Sequence, residues 1–590
     1  MGHSVTYPVN FGTFHSVFYH ILKASNALVS DRLLSNSEKK ALLLPILETY
    51  ENEQNRQEGG GESSLKEDAL QFLSAVSYYK NTMELAAASR QAPVHLQDCF
   101  EKIFQEYEKT VRRTGRLDFD DMLYSCMGLL KKDVGMREYW QKRFCHILID
   151  EFQDINPVQY EVVKLLASKP YNLFAVGDDD QSIYGFRGSQ PDCMRRFQEE
   201  FHARQLLLDV NYRSRAEIVE ASLAVIGENR NRFVKKLYAA SCEDEGNAKE
   251  TDRVREDSNV VTVRSFTDRE AQYGYLVETF LEERKQGGSR AVLFRTNSYM
   301  QSFAARLKAA DISYEMREKA VSIYEHFIVT DVMCYLLIAH GMGKREHLLR
   351  IMNRPSRYIS REAVGAGKVD ISRIAAYYGR SNLPCRQKNS VMSELKQLEK
   401  QLICLARLPV KPAVSYILKA VGYERFLREA AGGSQDKWQE WQELLEWLKE
   451  DGARHGTLKD WIRFQEEYKE TAPPKIETGK SPLQLLTVHG SKGLEFDCVW
   501  IPDCNEKVFP HGRMPDERAV EEERRIFYVA MTRAKKSLEL LYLTGTKDRP
   551  RLPSRFLNPL YSSSNSSNSQ LSRNSSKAST TFSYSSSSSI

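Results

Sequence analysis

No run of about 18 consecutive apolar residues occurs in the chain, so no transmembrane helix and no membrane partner are expected. The N-terminus lacks the charged-then-apolar order of a secretory signal. None of the ten cysteines stands in a C-x-x-C pair, which argues against a zinc ribbon, an iron–sulfur cluster or a disulfide framework. Cys498 and Cys504 are the closest pair, and they read as reduced thiols of a cytoplasmic protein. A strong charge of either sign is missing too. Lys and Arg total 84 against 79 Asp and Glu, and the net +5 permits nucleic-acid binding without demanding it.

What is there suits ordinary globular domains, with 41% hydrophobic and 28% charged residues. A length of 590 residues suggests about three to five domains. After a TFHS tetrapeptide, the text from about residue 25 to 115 is helical. Two apolar runs follow, Cys145–Ile149 and Leu173–Val176, each ending in acids. Short apolar runs bounded by turn residues suit buried strands of a parallel sheet. Leu206–Leu208, Val260–Val263 and Ala291–Phe294 continue the series. Residues 326 to 478 return to helical text, where Trp438, Trp441, Leu444, Leu445 and Leu448 form one core-facing stripe. Sheet-like runs resume at Leu483–Val488, Cys498–Ile501 and Leu538–Leu543. The Ser/Asn-rich end, residues 559–590, cannot bury enough apolar surface to offset its ordering entropy and is expected to be disordered.

Chemistry concentrates at the ends of the apolar runs. Asp150 and Glu151 directly follow the first. One acid can hold Mg²⁺ and the next can orient or deprotonate a water, although an acidic turn explains the pair alone equally well. The second run leads into Val176-Gly177-Asp178-Asp179-Asp180-Gln181-Ser182-Ile183-Tyr184-Gly185-Phe186-Arg187-Gly188. This supplies an amide able to sense a phosphate, together with Tyr, Phe and Arg able to stack on bases or pair with backbone phosphates.

These residues are a resemblance as well as a chemistry. DEFQD at 150–154 and VGDDDQSIYGFRG at 176–188 resemble motifs II and III of the UvrD/Rep/PcrA-like superfamily 1 DNA helicases. Gly12-Thr13-Phe14-His15-Ser16 resembles motif Ib, Asn211-Tyr212-Arg213-Ser214 motif IV, and Ala291–Asn297 the motif after it. Thr487–Phe496 resembles motif V, and Glu521–Arg525 with Tyr528–Ala534 resembles motif VI. All lie in family order. The resemblance implies an α/β protein of two RecA-like parallel-sheet lobes, each with a helical insertion. ATP with Mg²⁺ would be its cofactors, and single-stranded DNA and single-strand/duplex junctions its partners.

By resemblance, Asp150 is the metal ligand, Glu151 activates water, and Gln181 contacts the γ-phosphate. Tyr212 stacks on adenine and Glu495 lies near the ribose. Arg213 and Arg533 stabilise charge on the transferred phosphoryl group, since Arg forks two donors onto phosphate oxygens. Thr13, Phe14, His15, Tyr184, Phe186, Arg187, Arg295, Asn297, Thr487 and His511 match DNA-contact positions. Plainer readings stand beside some of these: Phe14 as core, His15 and His489 as hydrogen-bonded structural histidines, and Arg524 and Arg525 as a charged helix face. Phe186 replaces a frequent Trp, and Gly185 replaces a frequent Arg.

A motor of this family needs G-x-x-x-x-G-K-[ST] to cradle phosphates. Gly343-Lys344 and Gly367-Lys368 lack the hydroxyl residue, and Gly479-Lys480-Ser481 has Pro474 where the first Gly belongs. The sequence therefore reads as starting downstream of that loop, Met1 as an internal start, and the myristoylation-like Met1–Thr6 as a chance match. The domain reading is an incomplete first lobe at 1–205 with its helical insertion at about 25–115. A second lobe covers 206–325 and 479–558, with its own insertion at 326–478, and the tail follows. A strand lost from the first sheet would leave it poorly stable. The functional reading is an ATP-dependent 3′–5′ DNA helicase of repair or replication. The alternative is an ATPase-inactive DNA-binding remnant. The motor half of a helicase–nuclease ranks last, since no carboxylate cluster follows motif VI. The Ser-rich tail is a candidate protein-partner segment.

Overall fold

The computed structural model describes residues 9–25, 33–54, 62–169, 172–185, 188–190, 192–240, 260–282, 288–316, 323–365, 369–381, 384–431, 435–455, 457–470, 483–512, 516–547, 549–564 and 581–584. The chain divides into two compact units. The first holds Met1–Asp209 and Asn229–Lys236, and the second holds Val210–Glu228 and Leu237–Ile590. Among the described residues, no helix is long and apolar enough to cross a membrane.

The first unit is mostly helical, with a two-stranded parallel sheet. Strand β1 (Ile147–Ile149) pairs with β2 (Leu173–Ala175), with Leu148 opposite Phe174. Local sequence sets its helices. Asp118 and Asp121 form a reciprocal capping box before Phe119–Lys132, and Asn156 with Gln159 does the same before Pro157–Leu166, where Pro157 takes the first turn. A buried ammonium ties three helices together, for Lys80 pairs with Glu108 at 2.7 Å and with Asp121. Burial alone would strip its proton, but Asp118, Asp121 and Glu108 hold it above the ordinary lysine range. The small sheet keeps apolar surface open, with Leu148 74% and Phe174 56% exposed. Leu206–Leu208 is not the strand its composition predicts. It is irregular, exposed and unladdered, because no strand among the described residues meets it.

The second unit begins with β3 (Val210–Asn211) beside β4 (Tyr238–Ala239). Its main sheet takes β5 (Val261–Phe266), β6 (Arg290–Phe294), β7 (Tyr314–Met316), β8 (Leu483–Thr487), β9 (Phe496–Ile501) and β10 (Ala534–Leu543), in the parallel order β5-β10-β9-β6-β8-β7. The near-continuous burial of β6, β8 and the end of β9 is what helices on both faces require. A small hairpin, β11 (Gly545–Thr546) with β12 (Arg549–Pro550), follows. The tail departs from its expected disorder at Thr581–Tyr584, which adds an antiparallel edge strand, β13, to β5. Backbone ladder bonds to the edge strand β5 are what define it.

Between β7 and β8 the chain forms a helical block from Phe327 to Glu470. Trp441, Leu444, Leu445 and Leu448 are buried in its core with Trp438 packed against them, as the stripe predicts. Its polar centre is Asp331, 0% exposed. Asp331 accepts from Arg350 Nε, from Arg354 Nη1 at 2.8 Å and from Tyr423 Oη at 2.7 Å. Removing that carboxylate strands two guanidinium groups and a phenol. Asp331→Ala is expected to cost about 3 kcal/mol, the low end for breaking a buried pair because both arginines still reach solvent. Four of the six tryptophans lie in this block, so urea unfolding followed by tryptophan fluorescence reads it, and an unchanged midpoint would contradict the assignment.

Candidate functional site

In the first unit, the ends of β1 and β2 are stitched by backbone bonds. Val176 N–H donates to Ile149 C=O, and Phe152 N–H donates to Val176 C=O, both at 2.8 Å. The chain then turns sharply at Glu151, whose φ of 50° lies in the left-handed region that costs a non-glycine residue about 1–2 kcal/mol. That turn leaves Asp150 and Glu151 exposed side by side, with Glu151 N–H donating to Asp150 Oδ1 at 2.9 Å. An exposed hard carboxylate at a strand end fits Mg²⁺ chemistry.

A residue with no assigned role joins these acids to Gln181. Gln153, 2% exposed, donates from Nε2 to Glu151 Oε2 at 2.5 Å and accepts the Asp178 N–H at 3.0 Å on Oε1. Asp178 Oδ2 in turn accepts Gln181 Nε2 at 2.8 Å. The hydrogen-bond chain Glu151–Gln153–Asp178–Gln181 therefore spans both motifs. Gln153 stood in the quoted DEFQD run, and the only signal for its role was a polar residue between buried Phe152 and Ile155.

The remaining first-unit candidates are less uniform. Thr13 caps the helix Phe14–Ala24, accepting Ser16 N–H at 3.3 Å. Phe14 packs against Phe18 and the core, as its plainer reading has it. His15 is half-buried with its ring 5.8 Å from Phe119, and burial, partly opposed by Asp120, lowers its pKa. Tyr184 is half-buried near the second strand end, while Phe186 and Arg187 lie outside the described residues.

In the second unit the candidates fall into two groups. At the amino ends of β9 and β10, Arg213 Nε donates to Glu495 Oε2 at 2.8 Å, and Lys535 Nζ meets Glu495 Oε1 at 2.5 Å. The Lys535 and Arg213 hydrogen bonds hold the Glu495 carboxyl below its usual range. Asn211 Oδ1 accepts the N–H groups of Arg213 and Ser214, a turn that leaves Tyr212 84% exposed. Arg533 is 1% exposed. Its guanidinium donates to Val529 C=O at 2.9 Å and Leu494 C=O at 3.1 Å, a cation on the last carbonyls of the helix Glu517–Met531.

The other group lies at the carboxyl ends of the strands. Arg295, just past β6, forks onto Glu523 at 3.1 and 2.5 Å, and His511 N–H donates to the same carboxylate at 3.0 Å. Asn297 opens the next helix and is exposed. Thr487 is buried at the end of β8, where its hydroxyl accepts Gly490 N–H at 3.1 Å. Glu523, inside the run matched to motif VI, was given no role of its own because it sits among other charges. Arg524 and Arg525 are 8% and 4% exposed on the part of the helix that is buried, from Val520 on, which overturns the solvated-face reading. Gly343-Lys344 precedes a short helix and follows no strand, and Gly479-Lys480 and Gly367-Lys368 lie outside the described residues.

Paired acids joined to an amide on neighbouring strand ends are the kind of arrangement that nucleotide hydrolysis uses. The sequence profile of the UvrD/REP helicase N-terminal domain matches residues 1–202, and that of the UvrD-like helicase C-terminal domain matches residues 206–545. The chain belongs to the UvrD-like DNA helicase family. It is 32% identical to YjcD of Bacillus subtilis (strain 168), provisionally named an ATP-dependent DNA helicase, over 93% of this chain and 70% of that one. It is 27% identical to the ATP-dependent DNA helicase PcrA of Staphylococcus epidermidis and 28% identical to DNA helicase II of Haemophilus influenzae, in each case over 92% of this chain and 75% of the relative.

Gly177 is where this geometry is least forgiving. A Cβ there would lie 2.6 Å from Gln153 Oε1 and 3.1 Å from Gln153 N. Gly177→Ala is expected to cost about 1–3 kcal/mol of local stability, as overpacking does. Hydrogen exchange at the amides of 178–182 should rise, and unchanged protection would refute the close fit.

Proposed function

We propose that this chain is an ATP-driven motor that moves 3′ to 5′ along single-stranded DNA and opens duplex at junctions, in cytoplasmic DNA repair or replication. The observation that carries the reading is the hydrogen-bond chain from Glu151 through Gln153 and Asp178 to Gln181. It makes a water-activating acid and a phosphate-sensing amide one rigid unit, which is what hydrolysis coupled to a conformational cycle needs. The relatives' names support the same reading.

The residues divide the work. Asp150 would hold Mg²⁺, which supplies charge neutralisation on phosphate oxygens when bound. Glu151 accepts a proton from the attacking water. Tyr212 offers an exposed ring for a base. Arg213 leaves Glu495 to meet phosphate charge, while Lys535 stays to keep that carboxylate paired. Arg533 must turn from the Val529 and Leu494 carbonyls to join it. Tyr184, His15, Arg295, Asn297 and His511 serve the DNA, where stacking and phosphate contacts give grip without sequence choice. The Ser-rich tail remains a candidate partner segment.

Steady-state ATP hydrolysis with and without poly-dT tests the reading. Wild type should be stimulated by DNA. Glu151→Gln should lower kcat by about 10²- to 10⁴-fold, the span for loss of a general base, while its affinity for a dT oligonucleotide is unchanged. Hydrolysis indifferent to DNA, or insensitive to Glu151→Gln, would contradict it.

A further inference from the structure

The first unit contains one segment that arrives late in the chain. Asn229–Lys236 clusters with it, although the residues on either side belong to the second unit. Its contacts converge on three successive acids. Arg232 forks onto Asp180 from Nε at 2.9 Å and Nη2 at 2.6 Å. Phe233 N–H donates to Asp179 Oδ2 at 2.7 Å. Lys235 Nζ reaches all three acids: Asp178 Oδ1, Asp179 Oδ1 at 2.8 Å and Asp180 Oδ2 at 2.9 Å.

These carboxylates lie within 4.8 Å of one another, the spacing of a cation nest. The nest is already filled, because the Lys235 ammonium donates into it. The Lys235 side chain is 8% exposed, and those of Asp179 and Asp180 are 5% and 0% exposed. Burial works against the ammonium, yet the three carboxylates outweigh it and hold the group charged well above the ordinary lysine range. Three acids against Lys235 and Arg232 is a nearly balanced set. Without Lys235 it becomes a cluster of buried like charges that must part or take up protons.

We propose that Lys235 is a positioning residue for Gln181, acting through Asp178. The Asp178 carboxylate is shared, with Oδ1 facing the ammonium and Oδ2 accepting Gln181 Nε2 at 2.8 Å. Fixing the first oxygen fixes the plane of the carboxylate and hence the direction of the amide. Gln181 Nε2 carries two N–H groups, and Asp178 takes one of them. Lys235 thereby sets where the amide points, from more than fifty residues away in sequence. The inference rests on the reading of Gln181 as the γ-phosphate sensor. It assigns that sensor's aim to a strap outside motif III.

The test compares the full-length wild type, Lys235→Met, Asp178→Ala, Gln181→Ala and the Gln181→Ala/Lys235→Met double variant. The readouts are affinity for AMP-PNP and for ADP by calorimetry, kcat and KM for ATP with poly-dT, dT-oligonucleotide binding by anisotropy, and far-UV circular dichroism. Lys235→Met should lower kcat by about 10²-fold, as loss of one preorganised donor does, and change KM by less than about 3-fold. It should also cut the preference for AMP-PNP over ADP to the Gln181→Ala level. The double variant should be no worse than Gln181→Ala alone, because both act through one amide. Asp178→Ala lowers the buried negative charge, so it keeps the test open should Lys235→Met fail to fold, and it should lose the same preference. Additive losses, or a folded Asp178→Ala or Lys235→Met with wild-type preference, would overturn the inference while leaving the motor intact. A wild type that neither binds nor hydrolyses nucleotide would overturn both.

Discussion

Five carboxylates of the candidate site regions, those of Asp178, Asp179, Asp180, Glu495 and Glu523, are held by cations, and most of these cations come from elsewhere in the chain. Taking an acid out of water costs several kcal/mol unless a partner meets it, so each such pair fixes two segments at once. Asp178, Asp179 and Asp180 recruit Arg232 and Lys235. Glu495 recruits Arg213 and Lys535, and Glu523 recruits Arg295. The candidate chemistry therefore rests on charge-matched clamps more than on apolar packing, and the segments that carry it are far apart in sequence.

In the second unit the clamps sit at opposite ends of one sheet. Since its six main strands run parallel, it has an amino end and a carboxyl end. Arg213, Glu495, Arg533 and Lys535 gather at the first, and Arg295, Thr487 and His511 at the second. A six-residue strand such as β9 spans about 20 Å, so nucleotide and DNA candidates are separated by a rigid layer. The helix Glu517–Met531 bridges that distance. Glu523 clamps Arg295 from the middle of it and Arg533 lies just past its carboxyl end. The eight residue steps of helix from Glu523 to Met531 correspond to about 12 Å, so one rigid element joins Arg533 to the Arg295 clamp.

Much of this was legible in the sequence, for identifiable reasons. Ala291–Phe294 and Leu483–Thr487 were readable as strands because a strand buried on both faces is apolar throughout. The tryptophan stripe was readable because helical spacing puts it on one face. Leu206–Leu208 misled because composition says nothing about whether a partner strand exists. Thr581–Tyr584 misled because an edge ladder is a backbone property. Lys235, Glu523 and Lys535 were invisible for a different reason. Each looks like an ordinary charged residue until its partner, 40 to 228 positions away, is in place. Arg524 and Arg525 erred the same way, since a charge run on a helix marks a solvated face only if the helix has one.

For the proposed ATP-driven motor, the most direct readout is strand displacement. A fluorescent duplex bearing either a 3′ or a 5′ single-stranded tail would be incubated with the protein, ATP and Mg²⁺. The account predicts ATP-dependent separation of the 3′-tailed duplex and none of the 5′-tailed one. Separation without ATP, separation of the 5′-tailed duplex alone, or no separation of either would contradict it.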